Sequence, residues 1–180
     1  MKSRELGIYI HIPFCKHKCY YCDFVSYCNK DFLIENYIKS VEKELDIYFG
    51  NETKFEDIEI TIEVNPGTIN KEKIEDYKKA KINRLSIGLQ STNDDILKEI
   101  GRIHNFEQFL ETYNLAREEG FDNINVDLML GIPNQTIEIL KQSLKEIIKL
   151  GPEHISVYSL ILEEGTVLDK LINEGKLELL

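Results

Sequence analysis

The feature that most limits the folds open to this chain is the strict order in which two hydrophobic periods replace one another. Short β-branched or aromatic runs read as five strands: GIYIHI (7–12), IEITIEV (58–64), RLSIGLQ (84–90), INVDLMLGIP (124–133) and HISVYSLIL (154–162). Between them, apolar residues recur at helical spacing. Ile34, Tyr37, Ile38, Val41, Leu45 and Tyr48 mark one helix, and a short charged helix over 71–80 turns Ile74 and Tyr77 inward. Two helices follow near 94–100 and 105–119, the second with Phe106, Phe109, Leu110, Tyr113 and Ala116 in register and Gly120 at its end. Ile137, Leu140, Leu144, Ile147 and Ile148 mark the next, and EEGTVLDKLINEGKLELL reads as a short last helix. The segments GNETKFED (50–57) and NPG (65–67) break the pattern.

Alternation of this kind predicts an α/β fold with a parallel sheet, and the helix stripes are expected to be core. The later strands are apolar almost throughout, which predicts burial on both faces. Ligands of such folds gather at the C-terminal ends of the strands. At 180 residues, the chain is expected to be a single domain over 1–180. There is no fixed-period repeat and no low-complexity tract.

With 42% hydrophobic and 30% charged residues, the composition is that of a globular protein. The net charge of −10, with no basic run, argues against nucleic acid or an anionic membrane surface as partner. No stretch is long and apolar enough to span a bilayer, and the start MKSRELGIYIHIPFC does not read as a signal peptide. The expected compartment is therefore the cytoplasm, where clustered cysteines are usually ligands or catalysts. Hydrolase and kinase readings lack their motifs, a Gly-x-Ser-x-Gly elbow and a phosphate-binding glycine loop.

Of four cysteines, three stand as C-x3-C-x2-C: Cys15, Cys19 and Cys22. Three readings are open. They are free thiols or a disulfide; or a zinc site completed by His11 or His17, with Cys28 as an extra thiol; or an iron–sulfur cluster whose fourth iron stays open to a substrate or cosubstrate. His17, His104 and His154 read as structural.

The motif, with Tyr21 before its third cysteine, resembles that of the radical S-adenosylmethionine (SAM) superfamily. YIHIPFCKHKCYYCDF, TIEVNPG (61–67), RLSIGLQS (84–91), LKEIGRIH (97–104), NVDLMLGIPNQT (125–136) and HISVYSL (154–160) are similar, in order, to the oxygen-independent coproporphyrinogen III oxidase group. Phe24, two after the third cysteine, resembles the haem-chaperone branch, HemW. The resemblance implies a TIM-type (β/α) barrel, here partial, with Cys15, Cys19 and Cys22 holding a [4Fe–4S] cluster. SAM would chelate the open iron and be cleaved reductively to methionine and a 5′-deoxyadenosyl radical, with haem binding and transfer in porphyrin metabolism as the haem-chaperone alternative. Tyr9 and Tyr21 would line the cluster and SAM pocket. Glu63, Gln90 and Asp127 would accept from the SAM ribose, Arg102 would pair with its carboxylate, and Ile161 would pack on adenine. The residues agree: an Asp inside an apolar strand is costly without a purpose, and a guanidinium suits a carboxylate. Implied partners are SAM, an electron donor, and haem with a haem-accepting protein.

One departure stands out. The group has a strand ending in a GGGTP-type segment before its TIExNP strand, and no two of the ten glycines here are adjacent. The expected fold therefore lacks about one βα unit, including its contact to the SAM amine, and also the group's C-terminal domain. That leaves two alternative functions: a non-catalytic iron–sulfur or haem-binding relic, and a small zinc-binding protein.

Overall fold

Period-two patterning builds the sheet. In β1 (Thr61–Val64), β2 (Arg84–Gln90), β3 (Ile124–Leu130) and β4 (His154–Ser159), successive side chains point to opposite faces. The computed structural model describes residues 7–50 and 58–178. It divides into two compact units, one from the described residues of Met1–Lys18 and Asp23–Lys54, the other from those of Cys19–Cys22 and Phe55–Leu180.

In the second unit the four strands lie side by side in the order β1-β2-β3-β4, every pair parallel. Helices α2 (Lys71–Lys79), α3 (Asp94–Glu99), α4 (Phe106–Glu118) and α5 (Ile137–Leu150) connect them, and α6 (Val167–Asn173) follows β4. Parallel neighbours require such crossovers. Side-chain caps start the helices where expected: Asn70, Asn93, Asn105, Thr136 and Thr166 each accept from a first-turn N–H. The core lies on one face of the sheet. Val64, Leu85, Ile87, Leu89, Ile124, Val126 and Leu128 pack there against Ile74, Phe109, Tyr113, Ala116 and Ile147 of α2, α4 and α5.

The opposite face corrects the expectation of a sheet apolar on both sides. Ser86, Gly88 and Gln90, then Asn125 and Asp127, then His154, Ser156 and Tyr158, alternate with the core residues and line a polar face. The strands are thus half apolar by strict alternation, the pattern of a barrel wall whose inside carries polar groups.

The first unit holds a 3-10 turn, Asp31–Leu33, and α1, Ile34–Phe49. The strand expected over 7–12 is not formed; pairing there is a single bridge, Phe14 with Tyr27. Tyr27 N donates to Pro13 O at 2.8 Å, and Cys15 N to Tyr27 O at 3.1 Å. Tyr37 ties α1 to this loop, its hydroxyl donating to His11 O at 2.5 Å and its ring standing edge-on to Phe14. No residue of α1 is buried, and Ile34, Ile38 and Tyr48 are exposed, so its stripe is not core. The physical reason is local: among the described residues of this unit there is no strand ladder, hence no sheet face on which a helix stripe can lie. Of the polar break 50–57, residues 51–57 are outside the described residues, while Gly50 closes α1 at φ +62°.

Candidate functional site

The segment Cys19–Cys22 docks into the second unit by its backbone. Tyr20 N donates to Ile100 O at 3.0 Å, and Leu168 N donates to Tyr20 O at 2.8 Å. Gly101, at φ +72°, makes room for the Tyr20 ring; a Cβ there would lie 2.5 Å from Tyr20 Cδ1. Tyr21 is half-buried and packs against the cluster of Ile96, Ile100, Met129 and Ile132. Burial raises its phenol pKa, against the lowering effect of the Arg102 charge.

Arg102 is the hub of this end of the sheet. Its Nη1 donates to Cys19 Sγ at 3.5 Å, its Nη2 to Asn65 Oδ1 at 2.8 Å and to the Gly88 carbonyl, while Nε is buried without a partner. Gln90 ends β2 in a left-handed conformation, φ +77°, beside a register shift between Gly88 and Gln90. Its Oε1 accepts from the Tyr158 hydroxyl at 2.7 Å. The Tyr158 phenol is pushed up to about 12, by burial first and the Asp127 charge next.

Asp127 sits midway along β3 in a polar ladder. Its Oδ1 accepts from Asn125 Nδ2 at 2.7 Å and its Oδ2 from Ser86 Oγ at 3.3 Å. Asn125 is itself held by Ser156 Oγ, which donates to its Oδ1 at 3.0 Å, and by His154 Nδ1 at 2.5 Å. A half-buried carboxylate held by two donors keeps its direction. Glu63 is exposed on β1, opposite Ser86 in register.

Among the predicted site residues, the second unit therefore carries Cys19, Tyr21, Cys22, Glu63, Gln90, Arg102 and Asp127, all but Glu63 at least half-buried. Cys15 and Tyr9 belong to the first unit. Tyr9 is 75% exposed, its hydroxyl 3.2 Å from His11 Nδ1. Ile161 was expected at the end of the last strand. It lies two residues beyond β4, which stops at Ser159, and is 69% exposed. Asn65, Ser86, Gly88, Asn125 and Tyr158 are site residues missed from sequence. For Ser86, Asn125 and Tyr158 the signal is the period-two recurrence of polar residues within strands that otherwise read as apolar; Asn65, in the turn after β1, and Gly88 carry no such signal.

No disulfide joins any of the four half-buried cysteines, and in the second unit the Cys19 sulfur faces a guanidinium, an environment that suits a thiolate ligand of an iron–sulfur cluster. Among the described residues, no three His, Cys, Asp or Glu side chains are gathered as a metal-holding group. Among the same residues, no helix is long and apolar enough to cross a membrane.

Comparison with known proteins bears on this arrangement. The family profile described as the radical SAM superfamily matches residues 30–147. The haem chaperone HemW of Bacillus subtilis is 36% identical over 206 residues, covering 95% of this chain and 54% of the relative. That of Haemophilus influenzae is 38% identical over 205 residues, covering 92% and 54%. Both alignments are longer than the chain itself, so part of each relative has no counterpart here, and the chain spans about half the length of these curated relatives. Among solved structures, the radical SAM enzyme coproporphyrinogen III oxidase (HemN) of Escherichia coli superposes with a TM-score of 0.76 at 23% identity. It covers 93% of this chain and 47% of that one, a likeness of fold. The expected partial parallel barrel of radical SAM type is thereby borne out.

Proposed function

Because the chain belongs to the radical SAM superfamily, a family that implies a [4Fe–4S] cluster and SAM, we propose that it is a cluster-holding, SAM-cleaving core that handles haem in the manner of the HemW-like branch. Cys15, Cys19 and Cys22 are the cluster's thiolates. Bound together, the cluster and SAM supply one-electron reductive cleavage of a sulfonium bond. The observation that carries this reading is the contact of the Arg102 guanidinium with Cys19 Sγ, at the end of a sheet whose polar face offers Gln90 and Asp127.

The chain's own residues divide the work. Arg102 brings a cation to the SAM carboxylate, and Tyr158 orients the Gln90 amide through one lone pair of its oxygen, leaving the other to accept from the ribose. Asn125 and Ser86 hold the Asp127 carboxylate in one direction for the ribose hydroxyls. Glu63, on β1, accepts from the same sugar. Tyr21 covers the cysteine segment from water, and Ile161 packs on the adenine. A cytoplasmic electron donor and a haem-accepting protein complete the cycle.

The second reading is a cluster- or haem-binding module without SAM cleavage. It is favoured by the missing glycine-rich segment, since no two glycines are adjacent.

The experiment is anaerobic reconstitution with iron and sulfide, then EPR of the reduced protein with and without SAM, and a haem titration followed by absorbance. A [4Fe–4S] signal that changes with SAM, together with stoichiometric haem binding, is the expected result. A cluster signal indifferent to SAM leaves the non-catalytic module. Zinc without sulfide overturns both.

A further inference from the structure

The Arg102 guanidinium is held by more bonds than an ion pair with a SAM carboxylate calls for. Nη2 is shared between Asn65 Oδ1, at 2.8 Å, and the Gly88 carbonyl, and this turns Nη1 onto Cys19 Sγ at 3.5 Å. Nε has no partner, so the terminal nitrogens alone fix where the group points. The two acceptors come from adjacent strands of the sheet: Asn65 directly follows β1, and Gly88 lies in β2, just past the Val64–Ile87 pair. The Asn65 turn is itself tied down. Thr68 N and Oγ1 both donate to Asn65 O, at 3.2 and 2.6 Å, and Gly67 N donates to Thr112 Oγ1 at 2.9 Å. Gly88 leaves the space the guanidinium needs. A Cβ there would lie 3.2 Å from Gln90 Nε2, 3.4 Å from Arg102 Nη2 and 3.7 Å from Asn65 Oδ1.

We propose that Asn65 is a positioning residue that aims Arg102 at the Cys19 sulfur, so that Arg102 sets the reduction potential of the cluster as well as meeting SAM. This rests on the cluster-binding reading above. A hydrogen bond and a positive charge at a ligand sulfur stabilise the more negative, reduced cluster, and so raise its potential. An amide suits the task because it is a neutral acceptor. It orients the guanidinium by one directional bond and leaves its charge intact, where a carboxylate would cancel it.

The test uses the whole chain, reconstituted with iron and sulfide without SAM, and reads midpoint potentials by EPR-monitored redox titration. Asn65→Leu and Arg102→Met should each favour the oxidised cluster about tenfold, a midpoint lower by ~59 mV for a one-electron couple. The double variant should move no further than Arg102→Met alone, because both act through one guanidinium. Asn65→Ser, too short to reach the guanidinium, reports the same shift should leucine unsettle the turn. Thr68→Val, which removes a bond of the same turn without touching Arg102, should keep the wild-type potential. Wild-type potential in both Asn65 variants, or shifts that add in the double variant, would overturn the proposal while leaving the cluster reading in place. A wild-type chain that assembles no cluster overturns that reading first.

Discussion

Replacing Gly101 by alanine tests how the cysteine segment is seated. Gly101 follows α3 at φ +72°, with its N–H bonded to Lys98 O. An alanine in that left-handed conformation costs roughly 1–2 kcal/mol. Its methyl would also sit 2.5 Å from Tyr20 Cδ1, 2.7 Å from Cγ and 2.8 Å from Cε1. The ring cannot retreat freely, because Tyr20 is bonded through N to Ile100 O and through O to Leu168 N. Forcing a methyl into such a contact costs roughly 1–3 kcal/mol more. Gly101→Ala should therefore lower stability by about 2–5 kcal/mol in urea denaturation followed by circular dichroism. The displaced segment carries Cys19 and Cys22, so iron and sulfide retained after reconstitution should fall as well. Gly131→Ala is the reference. Gly131 has nearly the same φ, +71°, but a Cβ there meets nothing within 4 Å, so it should show the strain alone. Equal losses in the two variants would refute the role given to the Tyr20 contact.

Three further outcomes are expected. His104 is buried against Leu89 O, and burial first, then the Arg102 charge, lowers its pKa from 6.5 to about 4. The folded chain thus keeps it neutral while the unfolded chain takes up its proton, so stability should be lost as pH falls from about 6.5 towards 4. His104→Gln should flatten that part of the curve, and an unchanged slope would count against the assignment. Phe109, 0% exposed between Phe106 and Tyr113, should lose about 3–5 kcal/mol on truncation to alanine, measured by denaturation. Asn125→Ala strips a donor from Asp127 and an acceptor from Ser156. It should cost about 1–3 kcal/mol and raise the SAM concentration needed to alter the EPR signal, whereas unchanged SAM dependence would remove Asp127 from the site.

The order of elements was legible because it depends on local periods that a helix or strand imposes on its own sequence. From β1 onward, every expected strand and helix is present, displaced at its ends by a few residues: IEITIEV keeps only Thr61–Val64 as strand, and INVDLMLGIP only Ile124–Leu130. The cysteine spacing and Asp127 stood out too, since each is a residue type that its surroundings do not otherwise explain, whereas Arg102 was singled out only by the family resemblance.

What the sequence could not supply was the neighbour that each element meets. The run GIYIHI has strand composition but forms no strand, because a strand exists only through a ladder partner. The stripe of α1 has helical spacing yet leaves Tyr37, Val41 and Leu45 no more than half-buried, because full burial needs an opposing face. Asn65 and Gly88 look like turn and strand punctuation. Only the parallel pairing of β1 with β2 brings an amide oxygen and a carbonyl to the same guanidinium, and only the docking of Tyr20 on Ile100 brings Cys19 to its other side. Local composition determined which elements form and which residues are chemically unusual. Contacts between residues tens of positions apart decided which of them act together.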